Sequence, residues 1–341
     1  MYARAALVFS LKIHAALFLC LLLGCAPQPQ PRKIDRSFYY WKSVFRLTPS
    51  DQHLLDSLQV HTLYTKFFDV AWNSDKGEPL PVASIRFETP LPRGINIVPV
   101  VFITNETLEQ MRPDQTAMLA QHIAEMVSLL AKGMTAGELQ IDCDWSQSTK
   151  EKYFQLLRQL REQPYAKGKL LSATIRLHQL KYRALTGVPP VDKGLLMCYN
   201  MGNLRHPETK NSILDVDEME RYTGSLANYP LPMDVALPVF DWFVWFHNNG
   251  YRGLVHTFQL PALAKQNMVF ENDTTINDLN FQHGDRLRYE GSDPGEVLRA
   301  AHSINKKLKG QELHVILYHL DQDNLRNYSL YQLDALYNGL R

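Results

Sequence analysis

Eight short apolar runs recur along the chain, at residues 38–43, 60–67, 95–103, 139–144, 169–175, 194–199, 234–240 and 313–320. Several are continuously apolar instead of alternating, the pattern of strands covered on both faces of a parallel sheet. Helical patterns stand between them. Pro113 and Asp114 open one whose stripe is Leu119, Ile123, Met126, Val127 and Leu130, with Gly133 as its stop. Tyr153, Leu156, Leu157 and Leu160 mark a second. Asp293-Pro294-Gly295-Glu296 reads as an N-cap, a proline at the first helical position and a capping-box acid, followed by Val297, Leu298, Ala301, Ile304 and Leu308 and closed by Gly310. Leu330, Leu333 and Leu336 predict a C-terminal helix.

Eight strands with interleaved helices predict an α/β fold, a (β/α)8 TIM barrel, better than an open doubly wound sheet. No glycine-rich dinucleotide turn and no P-loop supports the open sheet. The barrel is expected to be irregular in two places. Residues 69–93 lack a helical pattern and suit an extra hairpin. Residues 241–292, after the seventh strand, are too many for a simple connection and predict a lid or insertion over one barrel mouth.

The N-terminus reads differently. Arg4, Lys12 and His14 precede an apolar run of about nine residues, Ala15 to Leu23, far short of the roughly 20 that span a bilayer. The run ends in Leu22-Leu23-Gly24-Cys25, which looks like a lipobox, with residues 1–24 as signal peptide and Cys25 as the lipidated residue. The proline-rich stretch that follows suits a tether over 25–36, leaving 37–341 as one barrel domain. A membrane contact through the lipid, a cell-envelope location and a monomer are therefore expected. Ala26 carries no aspartate retention signal, which suits the outer membrane. A net charge of +1 argues against a nucleic-acid partner, because phosphate binding needs a concentrated positive field. Cys143 and Cys198 fall on the fourth and sixth strands, too far apart for a disulfide, and read as buried hydrophobes.

In this fold the working residues sit at the C-terminal strand ends. Those ends carry Trp41 and Lys42, Asp69, Asp142, Asp144 and Trp145, Arg176, Tyr199 and Asn200, Asp241 and Trp242, and His319 and Asp321. Acids interleaved with aromatics suit sugar chemistry: carboxylates act as acid, base or nucleophile, and aromatic faces stack on sugar rings. Asp142 and Asp144 lie on one strand face, about 7 Å apart along it. Asp144 is the expected main carboxylate, tuned by Asp142, with Asp241 or Asp321 completing a pair. Trp41, Lys42, Asp69, Trp145, Arg176, Tyr199, Asn200, Trp242 and His319 are expected to hold the glycan. A buried structural Asp142 and a capping Asp144 form the competing account. No zinc spacing, EF-hand loop or nucleophile elbow is present, so no metal or cofactor is expected. Arg286, Arg288 and Glu290 suit a salt-linked lid.

The run Leu139-Gln140-Ile141-Asp142-Cys143-Asp144-Trp145-Ser146 resembles the fourth strand of chitinase-like barrels, Asp-x-x-Asp-x-Asp-x-Glu. Asp142 and Asp144 match its second and third acids. Leu139 replaces the first, and Ser146 replaces the catalytic Glu that donates the proton. Nearly the whole chain past the signal is also similar to a family of bacterial lipoproteins with glycosidase-like barrels and no settled activity. That resemblance rests on Tyr40-Trp41-Lys42-Ser43, Gln140 to Trp145, Leu171 to Arg176, Met197 to Gly202, Leu237 to Phe240 and Tyr318 to Asp321. Two functions stay open: an envelope-anchored glycoside hydrolase, and a non-catalytic glycan-binding or envelope-assembly lipoprotein.

Overall fold

Each apolar run becomes a strand, and all eight pair in parallel. They are β1 (Lys33–Tyr40), β2 (Thr62–Asn73), β3 (Asn96–Ile103), β4 (Glu138–Cys143), β5 (Leu170–Arg176), β6 (Lys193–Met197), β7 (Met233–Pro238) and β8 (Glu312–Tyr318) in a computed structural model that describes residues 32–341 except Gln311. Every strand neighbours its successor, and β1 pairs with both β8 and β2, so the sheet closes on itself. The fold is an eight-stranded TIM barrel. The signal peptide and Cys25 lie outside the described residues. Strand β1 begins at Lys33, so the expected tether of 25–36 overruns the barrel by four residues: Lys33 to Arg36 pair with Glu312 to Val315.

The helices pack their predicted stripes on the outside of the sheet. Thr116–Leu130 buries Leu119, Ile123 and Val127, and Lys150–Arg161 buries Tyr153, Leu156, Leu157 and Leu160. Asp293 caps Pro294–Asn305 by accepting from the Gly295 and Glu296 amides. Glu296 does not close a capping box and reaches Arg299 instead, at 2.7 Å. That helix stops at Asn305, and Leu308 packs on the core from the turn that leads to Gly310.

Strand alternation decides what fills the lumen. Tyr39 on β1 donates to Gln140 on β4 at 2.5 Å, and Lys193 on β6 pairs with Glu138 on β4 at 2.9 Å. Neither pair of strands is adjacent, so both contacts cross the interior. Glu138, Gln140 and Asp142 therefore form an inward polar column, while Leu139, Ile141 and Cys143 face the helices. Ser172 donates to Glu138 at 2.5 Å, and Lys193 also pairs with Asp234 at 2.6 Å. Buried charges need such partners, because an unpaired one costs several kcal/mol (on the order of 3–5).

Both irregularities are present. β2 runs through a bulge at Lys66 to Phe68 and pairs antiparallel with Glu78–Val82, the expected hairpin. After β7, Asp241–His247, Gly250–His256, Arg286–Gly291 and Met268–Val269 build a four-stranded antiparallel sheet with its own small core of Phe243, Val255, Leu260, Phe281 and Leu287. Arg288 fastens it to the barrel. Its guanidinium pairs with buried Glu290 and donates to the carbonyls of Leu204, His206 and Pro207 on the loop after β6.

Candidate functional site at the barrel mouth

The β4–β5 pair sets the centre of the mouth. Asp142 and Thr174 face each other across it, and the Thr174 hydroxyl donates to Asp142 at 2.6 Å. Burial, then the neighbouring charge of Asp144, pushes the Asp142 carboxyl up to about 6. One alternation further out, Asp144 is held by the Arg176 fork. Nε and Nη2 each bind one carboxylate oxygen, the second at 2.8 Å. Burial works against the Arg176 charge, but Asp144 and Asp142 hold the guanidinium protonated.

Three polar atoms here are buried without a hydrogen-bond partner: Arg176 Nη1, the Tyr199 hydroxyl and His319 Nδ1. Buried polar atoms left open carry a cost of about 1–3 kcal/mol each, and Arg176 Nη1 and the Tyr199 hydroxyl are the donors among them. Arg176 and Tyr199 line a cavity of about 60 Å³ with His178, Asn200 and Tyr222. Beside it the Tyr318 ring meets Tyr199 at 5.0 Å and Trp41 at 5.8 Å, and Phe240 carries Trp242 at 5.1 Å. Lys66 lies 5.5 Å over the Trp41 ring and pairs with Asp69 at 2.9 Å. The mouth thus offers an aromatic floor, an arginine fork and open donors.

The other expected residues are placed elsewhere or occupied. Trp145 has no exposed surface, because it alternates with Asp144 and faces the helices. It stacks on Tyr153 at 5.0 Å and donates to the Thr186 carbonyl at 2.8 Å. It cannot hold a glycan. Asp241 and Trp242 are adjacent on an extended strand and point to opposite faces. Asp241 turns away, accepts from Thr257, Lys265, Tyr289 and Asn327, and lines a cavity of about 340 Å³ that Phe240 also borders. Asp321 caps the turn Gln322–Leu325 and pairs with half-exposed Lys42 at 2.7 Å, so its carboxylate is already occupied. His319 is held neutral: burial, with help from the charges of Lys42 and His256, lowers it to about 4 although Asp321 opposes them. Asn200 takes a left-handed turn, φ 54°, and donates its amide to Ile213 at 2.9 Å. Among the described residues no cluster of His, Cys, Asp or Glu is arranged to hold a metal ion. Tyr318, Thr174 and Lys66 were missed, although the polar alternation Ser172, Thr174, Arg176 on β5 carried the signal.

No family model matches the chain, and no curated protein matches it. Solved structures do. A chitinase from Chromobacterium violaceum superposes with a TM-score of 0.56 at 13% identity over 90% of this chain and 98% of that one. The spore cortex-lytic enzyme SleL of Bacillus cereus gives 0.55 at 14%, over 92% and 76%. A Cycas revoluta class V chitinase mutant, solved with (GlcNAc)3, gives 0.51 at 15%, over 89% and 98%. The fold is chitinase-like. In that frame Ser146 follows β4 with its hydroxyl bound to Ser148 at 2.8 Å and Thr149 at 3.2 Å, and no carboxylate stands there.

Proposed function

We propose that this chain is an envelope lipoprotein whose barrel mouth holds a glycan without cleaving it. The carrying observation is the pair of changes after β4: Ser146 is bound into a hydroxyl cluster, and both oxygens of Asp144 are taken by Arg176. No carboxylic acid stands at the Ser146 position to protonate a glycosidic oxygen, which supports recognition without cleavage. Arg176 Nη1 and the Tyr199 hydroxyl would donate to sugar oxygens, and Trp41, Tyr318 and Trp242 would stack on ring faces. The chitinase-like neighbours, one of them solved with (GlcNAc)3, support an oligosaccharide as the ligand. Anchoring rests on the Leu22 to Cys25 lipobox, with the outer membrane as the proposed location and a monomer as the proposed state. Among the described residues no helix is long and apolar enough to cross a membrane.

A glycan array on the full chain, followed by a hydrolysis panel on the hits, tests this reading. Retention without cleavage is expected, and Arg176→Met should weaken binding at least about tenfold by removing the fork and the open donor. One observation favours hydrolysis instead. Asp142, near pH 6, carries a proton within reach of neutral conditions. Cleavage that survives purification and disappears in Asp144→Asn and Asp142→Asn would replace the binding role with catalysis.

A further inference from the structure

The strands of a closed parallel barrel all begin at one end, so the connections that lead into them form a single face opposite the mouth. On that face stand Arg93 before β3, Lys132 before β4, Lys167 and Lys169 before β5, and Lys306 and Lys309 before β8. All are exposed except half-buried Lys169, and among the described residues none of the six makes an ion pair. The acids of the same connections are fewer. Asp192 is paired with Arg161 and Glu312 with Lys33, which leaves Asp35, Asp56 and Glu162 against six cations. The whole chain carries a net charge of only +1, so this excess is a segregation of charge to one end. The basic connections enter β3, β4 and β5 on one side and β8 on the other, so the charge is spread across the face.

We propose that this face docks on a bilayer surface rich in anionic phospholipid. Spread lysines over an area the width of a barrel suit a plane of head groups, whereas a compact anion would need converging donors. The position agrees with the anchor proposed above and rests on that reading only for orientation. Eight residues run from Cys25 to Arg32 and reach at most about 28 Å, so the lipid holds this end against the membrane. Each lysine or arginine near such a surface contributes about a fivefold gain in partition. Docked this way, the barrel turns its glycan-holding mouth away from the bilayer.

The test uses residues 32–341, the compact unit that holds the core of the described residues and lacks Cys25. Sedimentation with phosphatidylcholine vesicles, with and without phosphatidylglycerol, should show binding only to the anionic set, weakening as salt shortens the Debye length. Reversing Lys167, Lys169, Lys306 and Lys309 to Glu should lower partition by at least about a hundredfold. The four-Gln variant should fall between, and Lys76→Glu with Lys210→Glu at the opposite end should bind like wild type. Melting temperature checks that all variants fold. Equal binding to both vesicle types, wild-type binding by the reversed variant, or displacement by millimolar inorganic phosphate would overturn the proposal. Palmitate labelling of Cys25 in the full chain is read separately, so failure of the anchor and failure of the docking face are distinguishable.

Discussion

Lys193 is the keystone of the lumen, and its removal is the sharpest test of the architecture. Its ammonium compensates two buried carboxylates, Glu138 at 2.9 Å and Asp234 at 2.6 Å, beside a cavity of about 200 Å³ at the strand-entry end of the barrel. Lys193→Met keeps the length of the side chain and deletes the charge. Glu138 then retains Ser172 and Asp234 retains the His314 amide, but neither keeps a cation. Stranding buried carboxylates in this way costs about 3–5 kcal/mol. At about 2.1 cal/mol/K per residue, a body of this size unfolds with an entropy of about 0.65 kcal/mol/K, so the melting temperature should drop by about 5–8 °C. Calorimetry or circular dichroism reads this directly. Adding Glu138→Gln and Asp234→Asn should recover most of the loss, because amides keep the shape without the charge. The pH dependence has a definite sign. Burial works against the Lys193 charge, but Asp234 and Glu138 raise its pKa above the ordinary value. Its contribution is therefore present below the unfolded lysine value and fades as pH rises through the folded one, so wild type should lose stability in strong alkali by a component that the variant lacks. A single variant that melts within a degree of wild type would refute the compensated-lumen account.

Asp142 offers a second titration, of the opposite chemistry. Its folded value, about 6, lies above that of a free aspartate, so its contribution is present at acid pH and is lost as pH rises through about 6. Asp142→Asn should remove that loss and leave the protein at least as stable as wild type at pH 8, read by urea titrations across pH. Trp145→Phe should cost about 1–3 kcal/mol through the lost bond to Thr186 while glycan retention stays unchanged. A large loss of binding there would return Trp145 to the site. Cys143 and Cys198 are buried, free, and pushed to high pKa by burial, so a thiol reagent should find both only after denaturation.

The fold was legible because parallel strands sandwiched between layers must be apolar on both faces, and eight such runs leave few alternatives. The meeting of Asp142, Asp144 and Arg176 at the mouth was legible too, since all three sit at strand ends. Trp145 was misplaced by reading composition at the rim without carrying the alternation one residue past Asp144. Asp241 and Asp321 were misplaced for a different reason. Their neighbours, Lys265, Asn327 and Lys42, arrive from distant segments, and no local spacing announces a carboxylate already saturated by such partners.

The polar column of β4 has a consequence for how this barrel tolerates change. A slip of β4 by one residue would drive Leu139, Ile141 and Cys143 into a lumen of charged groups and push Glu138, Gln140 and Asp142 among apolar helix stripes. With no free edge to absorb the shift, every neighbouring strand would have to move with it. The column therefore acts as a ratchet tooth that admits one reading frame. Lengthening or shortening the connection at residues 131–137 should be taken up by the loop itself, which makes that end of the barrel a place for grafts that leave the opposite rim undisturbed.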